Sequence, residues 1–206
     1  MSRLPRAASV LIWLATLAQV LLAVADWRDY AVYADNPQDW DWEAIRAADV
    51  IPSAATLVAA VVFIVWLRRA RDTSERLSTA PHRHGRGWVI AGWLIPVISL
   101  WYPKQIVDDI ITASTPANEE SQADSRGIQI WWGTWVATVL LTALPLDPSN
   151  EPTTRDLLLA ALNSTVTAVL TVVCAVYAVR VVQLITNLQT ERPADVPAPG
   201  LQPFQH

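Results

Sequence analysis

Five uncharged, mostly apolar runs are the feature that most constrains the fold of this chain. They cover residues 7–25, 50–67, 87–103, 128–146 and 157–179, and none contains Asp, Glu, Lys, Arg or His. Four of them have 18 to 23 residues, close to the ~20 residues that a helix rising ~1.5 Å per residue needs to cross ~30 Å of hydrocarbon. We therefore predict an all-α polytopic membrane protein.

The charges between the runs predict the orientation. Residues 26–49 carry seven acidic side chains and two Arg, whereas residues 68–87 carry six Arg. Because Lys and Arg concentrate on the cytoplasmic side of membrane proteins, we place the amino terminus, with Arg3 and Arg6, in the cytoplasm. Fourteen Arg against one Lys suit a GC-rich bacterial genome, so the predicted location is the bacterial cytoplasmic (inner) membrane.

The third run decides the number of spans. A helix over residues 87–102 reaches only ~24 Å, and Pro96 removes the amide bond to Gly92. If the run crosses, there are five spans, with nine Lys and Arg inside and six outside; if it dips in and returns, there are four, with twelve inside and three outside. The charge rule favours four spans, at about 7–25, 50–68, 128–146 and 157–180, with residues 87–103 short or re-entrant. Five full spans remain the alternative.

The residues after Pro103 predict an amphipathic helix. Four apolar side chains recur on one face of residues 104–113, namely Ile106, Val107, Ile110 and Ile111. This helix is expected to lie at the membrane interface or against the cytoplasmic ends of the chain's own helices. Asp108 and Asp109 fit poorly beside an anionic leaflet, which is the best argument for five spans.

The two ends of the chain are assigned from length and composition. We predict one membrane-embedded domain over residues 1–190 and a disordered, Pro-rich tail over residues 191–206. The first run also resembles a secretory signal, with an A-x-A site at residues 23–25. Signal cores usually have ~7–15 residues and this core has 19, so an uncleaved first helix is predicted.

The chemistry of the runs argues against several functions. No ionisable group lies within them, which disfavours a proton-coupled pump. The sequence contains no Gly-rich phosphate loop, nucleophile elbow or metalloprotease motif, and His82 and His84 have no accompanying ligand set. We therefore predict no catalytic residue, no metal, no cofactor and no nucleic-acid partner.

Two charged segments are candidate binding surfaces. The basic segment offers contacts to anionic lipids through Arg68, Arg69, Arg71, Arg83 and Arg86, the last directly after Gly85. As a positive-inside signal it needs no such role. In the acidic segment, Trp27, Trp40 and Trp42 stand among carboxylates; they are suited either to a cationic or carbohydrate-like ligand or simply to the headgroup layer.

Residues 92–114, "GWLIPVISLWYPKQIVDDIITAS", and the following pair Trp131–Trp132 resemble the family of bacterial membrane proteins labelled domain of unknown function 4328. Its signature reads approximately G-W-F-V-P-V-V-N-L-W-F-P-Y-Q-V-V-R-D-I-W-R-A-S. The matching positions are Gly92, Trp93, Pro96, Leu100, Trp101, Pro103, Gln105, Val107, Asp109, Ile110, Ala113 and Ser114. The chain departs from the signature at Ser99, Lys104, Asp108 and Ile111.

The resemblance extends over about residues 50–188 and implies an integral membrane protein, mostly of actinobacteria, with no established activity. It selects a set of candidate functional residues: Gly92, Trp93, Pro96, Trp101, Pro103, Asp109, Trp131 and Trp132. The departures at positions 108 and 111 remove an Arg and a Trp that could have bound phosphate or stacked on a lipid headgroup.

These observations lead to a predicted function. We expect a non-enzymatic inner-membrane protein that acts through membrane lipids, a protein partner or a second copy of itself. The alternative is a small-solute channel or transporter gated by the helix broken at Pro96, since broken helices often line substrate sites. An enzyme using Asp108 and Asp109 is disfavoured, because adjacent acids on a helix commonly form only a polar face.

Overall fold

A computed structural model of the chain describes residues 3–39, 42–78, 82–115, 125–143 and 152–191, without the side chains of residues 39–48. Helices occupy nearly all of these ranges and no strand occurs within them, which confirms the all-α prediction. The helices are α1 (Arg3–Asp35), α2 (Trp42–Leu77), α3 (Trp88–Leu94), α4 (Pro96–Ser99), α5 (Tyr102–Ser114), α6 (Ser125–Thr142) and α7 (Thr154–Glu191), with a 3-10 turn at Pro37–Asp39.

Three helices within the described ranges are long and apolar enough to cross a membrane: α1, the Asp49–Leu77 part of α2, and α7. Their outward faces carry large apolar side chains that are more than half exposed, among them Leu21, Ile51, Leu57 and Val169. Apolar faces of this extent are unusual in proteins that fold in water and typical of helices in lipid.

The helices differ from the predicted runs in their length. α1 continues to Asp35 and α2 begins at Trp42, so most of the acidic segment, predicted as a connection, is helical. α6 covers residues 128–142 of the predicted fourth span but is not among the three apolar helices, so the structure establishes three candidate spans and leaves the fourth as a proposal. Residues 144–146 and the predicted tail beyond Glu191 lie outside the described residues.

The long helices form an antiparallel bundle with two chemically different ends. At one end, Trp27 Nε1 of α1 donates a hydrogen bond to Thr165 Oγ1 of α7 over 2.8 Å. At the other, Gln189 Nε2 of α7 donates to the carbonyl of Ala70 of α2 over 2.8 Å. We call the first the acidic end, where α1 stops and α2 and α7 start. The second, with residues 82–87 and α5, is the basic end.

Small residues allow α1 and α7 to approach closely. Alanines spaced seven residues apart are buried on both helices, with Ala8 and Ala15 on α1 and Ala161, Ala168 and Ala175 on α7. The small alanine side chain lets the two backbones approach closely. Such close contacts stabilise helix pairs in lipid, where the hydrophobic effect contributes little.

The third apolar run turns back on itself. α3 ends at Leu94, Ile95 is extended (φ −93°, ψ 111°), and Pro96 stands in the first turn of α4. A residue before proline avoids the helical conformation, whereas proline suits the first helical position. Proline therefore breaks the helix one residue earlier than its own position. We call residues 88–102 the hairpin.

The two ends of the hairpin lie together. The rings of Trp88 and Tyr102 are in edge-to-face contact, with centroids 5.0 Å apart. A Cβ atom on Gly92 would lie 3.3 Å from Tyr102 Cβ, so a larger residue at this position would press against the returning chain. A straight helix over the same residues would separate the two ends by ~21 Å.

α5 is amphipathic as predicted, but its apolar face is covered by protein. Ile106, Val107 and Ile110 are completely buried, and α5 packs against α2, α3 and α7. Of the two locations that the sequence left open, the structure shows the one against the chain's own helices.

Candidate functional site at the basic end

Asp109 anchors the segment between α2 and α3. Its carboxylate is only 7% exposed, and both oxygens are used: Oδ2 accepts a hydrogen bond from the backbone N–H of Arg83 over 2.9 Å, and Oδ1 forms an ion pair with Arg83 Nε over 3.1 Å. A carboxylate facing two donors of one residue holds that residue in place, since charge-assisted hydrogen bonds are the stronger kind. Asp109, which fitted poorly beside an anionic lipid surface, therefore binds Arg83 within the protein.

His84 is held between α5 and α2. Its ring stacks on Tyr102 with centroids 4.1 Å apart, and its Nε2 donates to Gln105 Oε1 over 2.7 Å. Its carbonyl accepts from Arg71 Nη2 over 2.8 Å. The structure therefore shows His84 docked on the helices. No sequence signal points to these partners, because they meet only after the hairpin has turned back.

Arg71 is the central cation of the basic end and is almost fully buried, with a side chain 4% exposed. Its Nε donates to Glu75 Oε1 over 2.8 Å, while Arg86 Nε donates to the second oxygen, Glu75 Oε2, over 2.7 Å. Arg71 Nη1 is buried without a hydrogen-bond partner among the described residues. Arg71 therefore faces the protein, whereas Arg68, Arg69, Arg83 and Arg86 are exposed.

The hydrogen bonds from Arg86 and Arg71 hold the pKa of the Glu75 carboxyl below its usual range. Glu75 lies beyond the uncharged run of α2, which ends at Leu67. Because the folded pKa is depressed, these pairs contribute stability above the unfolded pKa of about 4.3, and the contribution is lost as the pH falls through the folded value.

We expect the melting temperature of the detergent-solubilised protein to drop between pH 7 and pH 3.5 and to drop less in Glu75→Gln. The exposed Glu191 supplies the control, and Glu191→Gln should follow the wild-type curve. An equal drop in wild type and Glu75→Gln would contradict the role of Glu75.

Both histidines of the basic end and the carboxylates of Glu75, Asp108 and Asp109 have partners within the protein. His82 lies 3.1 Å from Ser74 Oγ, and Lys104 Nζ pairs with Asp108 Oδ2 over 2.7 Å. The latter two residues stand at positions where the chain departs from the family signature, and they form one i, i+4 pair on α5. Within the described ranges no group of three or more His, Cys, Asp or Glu side chains is arranged to hold a metal ion.

An aromatic cluster ties the hairpin to the bundle. Trp93 of α3 lies edge-to-face with Phe63 of α2 (5.8 Å between centroids) and with Trp135 of α6 (5.4 Å). Trp132 stacks on Trp135 at 4.8 Å, and its Nε1 donates to the carbonyl of Leu100 over 3.2 Å. Trp131 is 2% exposed, and its ring lies tilted against Phe63 with centroids 6.1 Å apart. Aromatic pairs in these arrangements add to the burial of their area.

The structure brings most of the candidate residues together. Trp93, Trp131 and Trp132 form the aromatic cluster, Gly92 allows the chain to return beside α3, and Pro96 and Pro103 begin α4 and α5. Asp109 binds the loop. Trp101 is different, because it is 45% exposed. Residues that sequence reasoning missed are Tyr102, His84 and Gln189, all of which act through contacts between distant segments.

The fold and this site define a class: a helical protein with three helices able to span a membrane and a proline-broken hairpin docked on their basic end. The family described as "Domain of unknown function (DUF4328)" matches residues 28–187, more than three quarters of the chain. The chain belongs to this family, and the match begins earlier than the expected residue 50. No curated protein and no solved structure matches the chain.

Proposed function

We propose that the chain is a non-enzymatic, multi-pass protein of the bacterial inner membrane that binds anionic phospholipids of the inner leaflet. In this arrangement α1, α2, α6 and α7 cross the membrane, both termini are cytoplasmic, and the hairpin enters the inner leaflet and returns. The observation that carries the proposal is the contact between Trp88 and Tyr102, which supports a return of the chain to the side from which it entered.

The tip of the hairpin is suited to acyl chains. Leu94 is 73% exposed, and Ile95 and Val97 are exposed beside it. Removing apolar surface from water contributes roughly 25 cal/mol per Å², so three uncovered side chains favour insertion into lipid. Pro96 lies among them and holds the tip in its bent form.

The base of the hairpin is suited to headgroups. Arg86 is 70% exposed, and Arg68, Arg69 and Arg83 are exposed at the same end of the bundle. Each arginine near an anionic membrane surface contributes about 1 kcal/mol of attraction. The exposed side chain of Trp101 also supports a position of the hairpin base at the headgroup level, since Trp is enriched where headgroups meet acyl chains.

Charge variants distinguish lipid binding from a mere topology signal. Arg68→Gln combined with Arg69→Gln is expected to weaken retention of phosphatidylglycerol by up to about 30-fold, because about 1 kcal/mol is lost for each arginine. The bound lipid is counted by native mass spectrometry after extraction in mild detergent. The matched control is Arg28→Gln with Arg155→Gln, two exposed arginines at the acidic end. Equal retention in both double variants would contradict the proposal.

The alternative proposal is a small-solute channel or transporter gated at Pro96. The hydroxyl of Thr167, buried in α7 without a hydrogen-bond partner among the described residues, supports it. The Ser99 hydroxyl does not, because it donates to the carbonyl of Pro96 within its own turn over 2.7 Å.

Thiol labelling tests this alternative. In a Cys174→Ala background, a channel predicts that Ser99→Cys and Asn163→Cys react with water-soluble thiol reagents. Lipid-facing Leu162→Cys serves as the unreactive control. Our leading proposal predicts that all three positions are protected, and rapid reaction at either test position would favour the channel.

A further inference from the structure

Arg83 and Arg86 are exposed arginines whose guanidinium groups are held by carboxylates of the protein. The side chain of Arg83 is 60% exposed, yet its Nε lies 3.1 Å from Asp109 Oδ1. The side chain of Arg86 is 70% exposed, yet its Nε donates a hydrogen bond to Glu75 Oε2 over 2.7 Å. Each guanidinium is therefore restrained, although most of its side chain is open to the surroundings.

The backbone of residues 82–87 is restrained as well. The N–H of Arg83 donates to Asp109 Oδ2 over 2.9 Å, and the carbonyl of His84 accepts from Arg71 Nη2 over 2.8 Å. These two hydrogen bonds join the segment to α5 and to α2. The Arg83 side chain is consequently fixed at both of its ends, the backbone and the guanidinium.

The internal pairs leave donors for a second anion. A guanidinium has five N–H groups. Arg83 places its Nε against Asp109, and Arg86 places its Nε and Nη2 against Glu75. Within the part of the chain that the structure describes, Nη1 and Nη2 of Arg83 and Nη1 of Arg86 form no hydrogen bond. These terminal nitrogens present N–H groups in the planar arrangement that suits phosphate oxygens.

We propose that Asp109 and Glu75 are positioning residues for the phosphodiester group of an anionic lipid, which Arg83 and Arg86 bind through their terminal nitrogens. The inference rests on the lipid binding proposed for the basic end and adds two acids to it. An arginine that is held in advance loses less conformational freedom when the phosphate binds. The two acids therefore favour the anionic lipid through the arginines that they hold, while their charge alone opposes it.

Matched neutral variants separate positioning from charge. Asp109→Asn removes the charge that holds the Arg83 guanidinium but keeps an oxygen for the backbone N–H of Arg83. Asp108→Asn makes the same charge change on the preceding residue, whose partner is Lys104, a cation without a planar fork. Retention of phosphatidylglycerol is measured by native mass spectrometry, which identifies the bound molecule by its mass and so separates a lipid from free phosphate. We expect Asp109→Asn to retain about two- to twelvefold less than Asp108→Asn, corresponding to about 0.5–1.5 kcal/mol for ordering one side chain.

A second background shows whether the loss acts through Arg83. In Arg83→Gln, the variants Asp109→Asn and Asp108→Asn should retain equal amounts of lipid, because no guanidinium is left to position. A general loss of structure would instead lower retention in this background too.

The pair on α2 gives an independent comparison, which stands even if Asp109→Asn does not fold. Glu75→Gln should retain about two- to twelvefold less lipid than Glu191→Gln, which makes the same change at an exposed position of the basic end. In an Arg86→Gln background this difference should disappear.

The outcomes distinguish the positioning role from lipid binding itself. Retention in Asp109→Asn equal to or above that in Asp108→Asn, or a difference that persists in Arg83→Gln, would overturn the positioning role and leave lipid binding intact. Wild type that retains phosphatidylglycerol no better than phosphatidylcholine would overturn lipid binding at the basic end, and the positioning role with it.

Discussion

Asp109→Ala should lower the free energy of unfolding by about 1.5–3 kcal/mol, the usual contribution of a hydrogen bond to a charged group. The loss has two parts. The backbone N–H of Arg83 loses its acceptor, and the Arg83 guanidinium loses its ion pair. Because residues 82–87 would then be released from α5, we also expect faster proteolysis within them. Unfolding is followed by tryptophan fluorescence in detergent micelles.

The neighbouring residue supplies the control. Asp108 pairs with Lys104 on the half-exposed face of α5, where the Asp108 side chain is 27% exposed. Exposed ion pairs of this kind contribute about 0–1 kcal/mol, so Asp108→Ala should change the stability little and leave the proteolysis rate unchanged. Equal losses in the two variants would contradict the assigned role of Asp109.

Trp132→Ala should cost about 3–5 kcal/mol, as expected for removal of a large buried aromatic side chain. The ring stacks on Trp135 and contacts Trp93 and Trp131, so its loss leaves a cavity among three indoles. Trp132→Phe keeps part of the packing and loses the hydrogen bond to Leu100. We therefore expect this variant to lie between wild type and Trp132→Ala.

Trp101→Ala is the matched comparison within the same motif. Its exposed ring predicts a change within about 0.5 kcal/mol in detergent, the usual range for surface substitutions. A loss as large as that of Trp132→Ala would show that the exposed ring has partners beyond those of a single chain.

The sequence predicted elements where the spacing of residues determines the outcome. The long apolar runs indicated α1, α2 and α7, and the i, i+4 pattern after Pro103 indicated α5. The last residues of α1 and the first residues of α2, which lie in the acidic segment, were not predicted to be helical. Charged residues there are equally compatible with a loop. The Arg71–Glu75 pair on α2 is of the kind that sequence can indicate, since it depends only on helical spacing.

The site was less accessible to sequence reasoning than the fold. Asp108 and Asp109 look equivalent in the sequence, and only the rotation of α5 against the loop separates an internal acceptor from a half-exposed pair. The tryptophans were selected by their resemblance to a family motif, but their mutual packing depends on the return of the chain at Ile95. Contacts such as Gln189 with Ala70 join residues 119 positions apart and leave no local signal.

The side of the membrane on which residues 115–124 lie tests the central claim most directly. In a Cys174→Ala background, a cysteine at Asn118, between α5 and α6, is exposed to a membrane-impermeant thiol reagent in intact cells and in inverted vesicles. Ser149→Cys, between α6 and α7, is the companion position. A hairpin predicts that Asn118→Cys reacts only in inverted vesicles and Ser149→Cys only in intact cells. Labelling of Asn118→Cys from outside and of Ser149→Cys from inside would contradict the account.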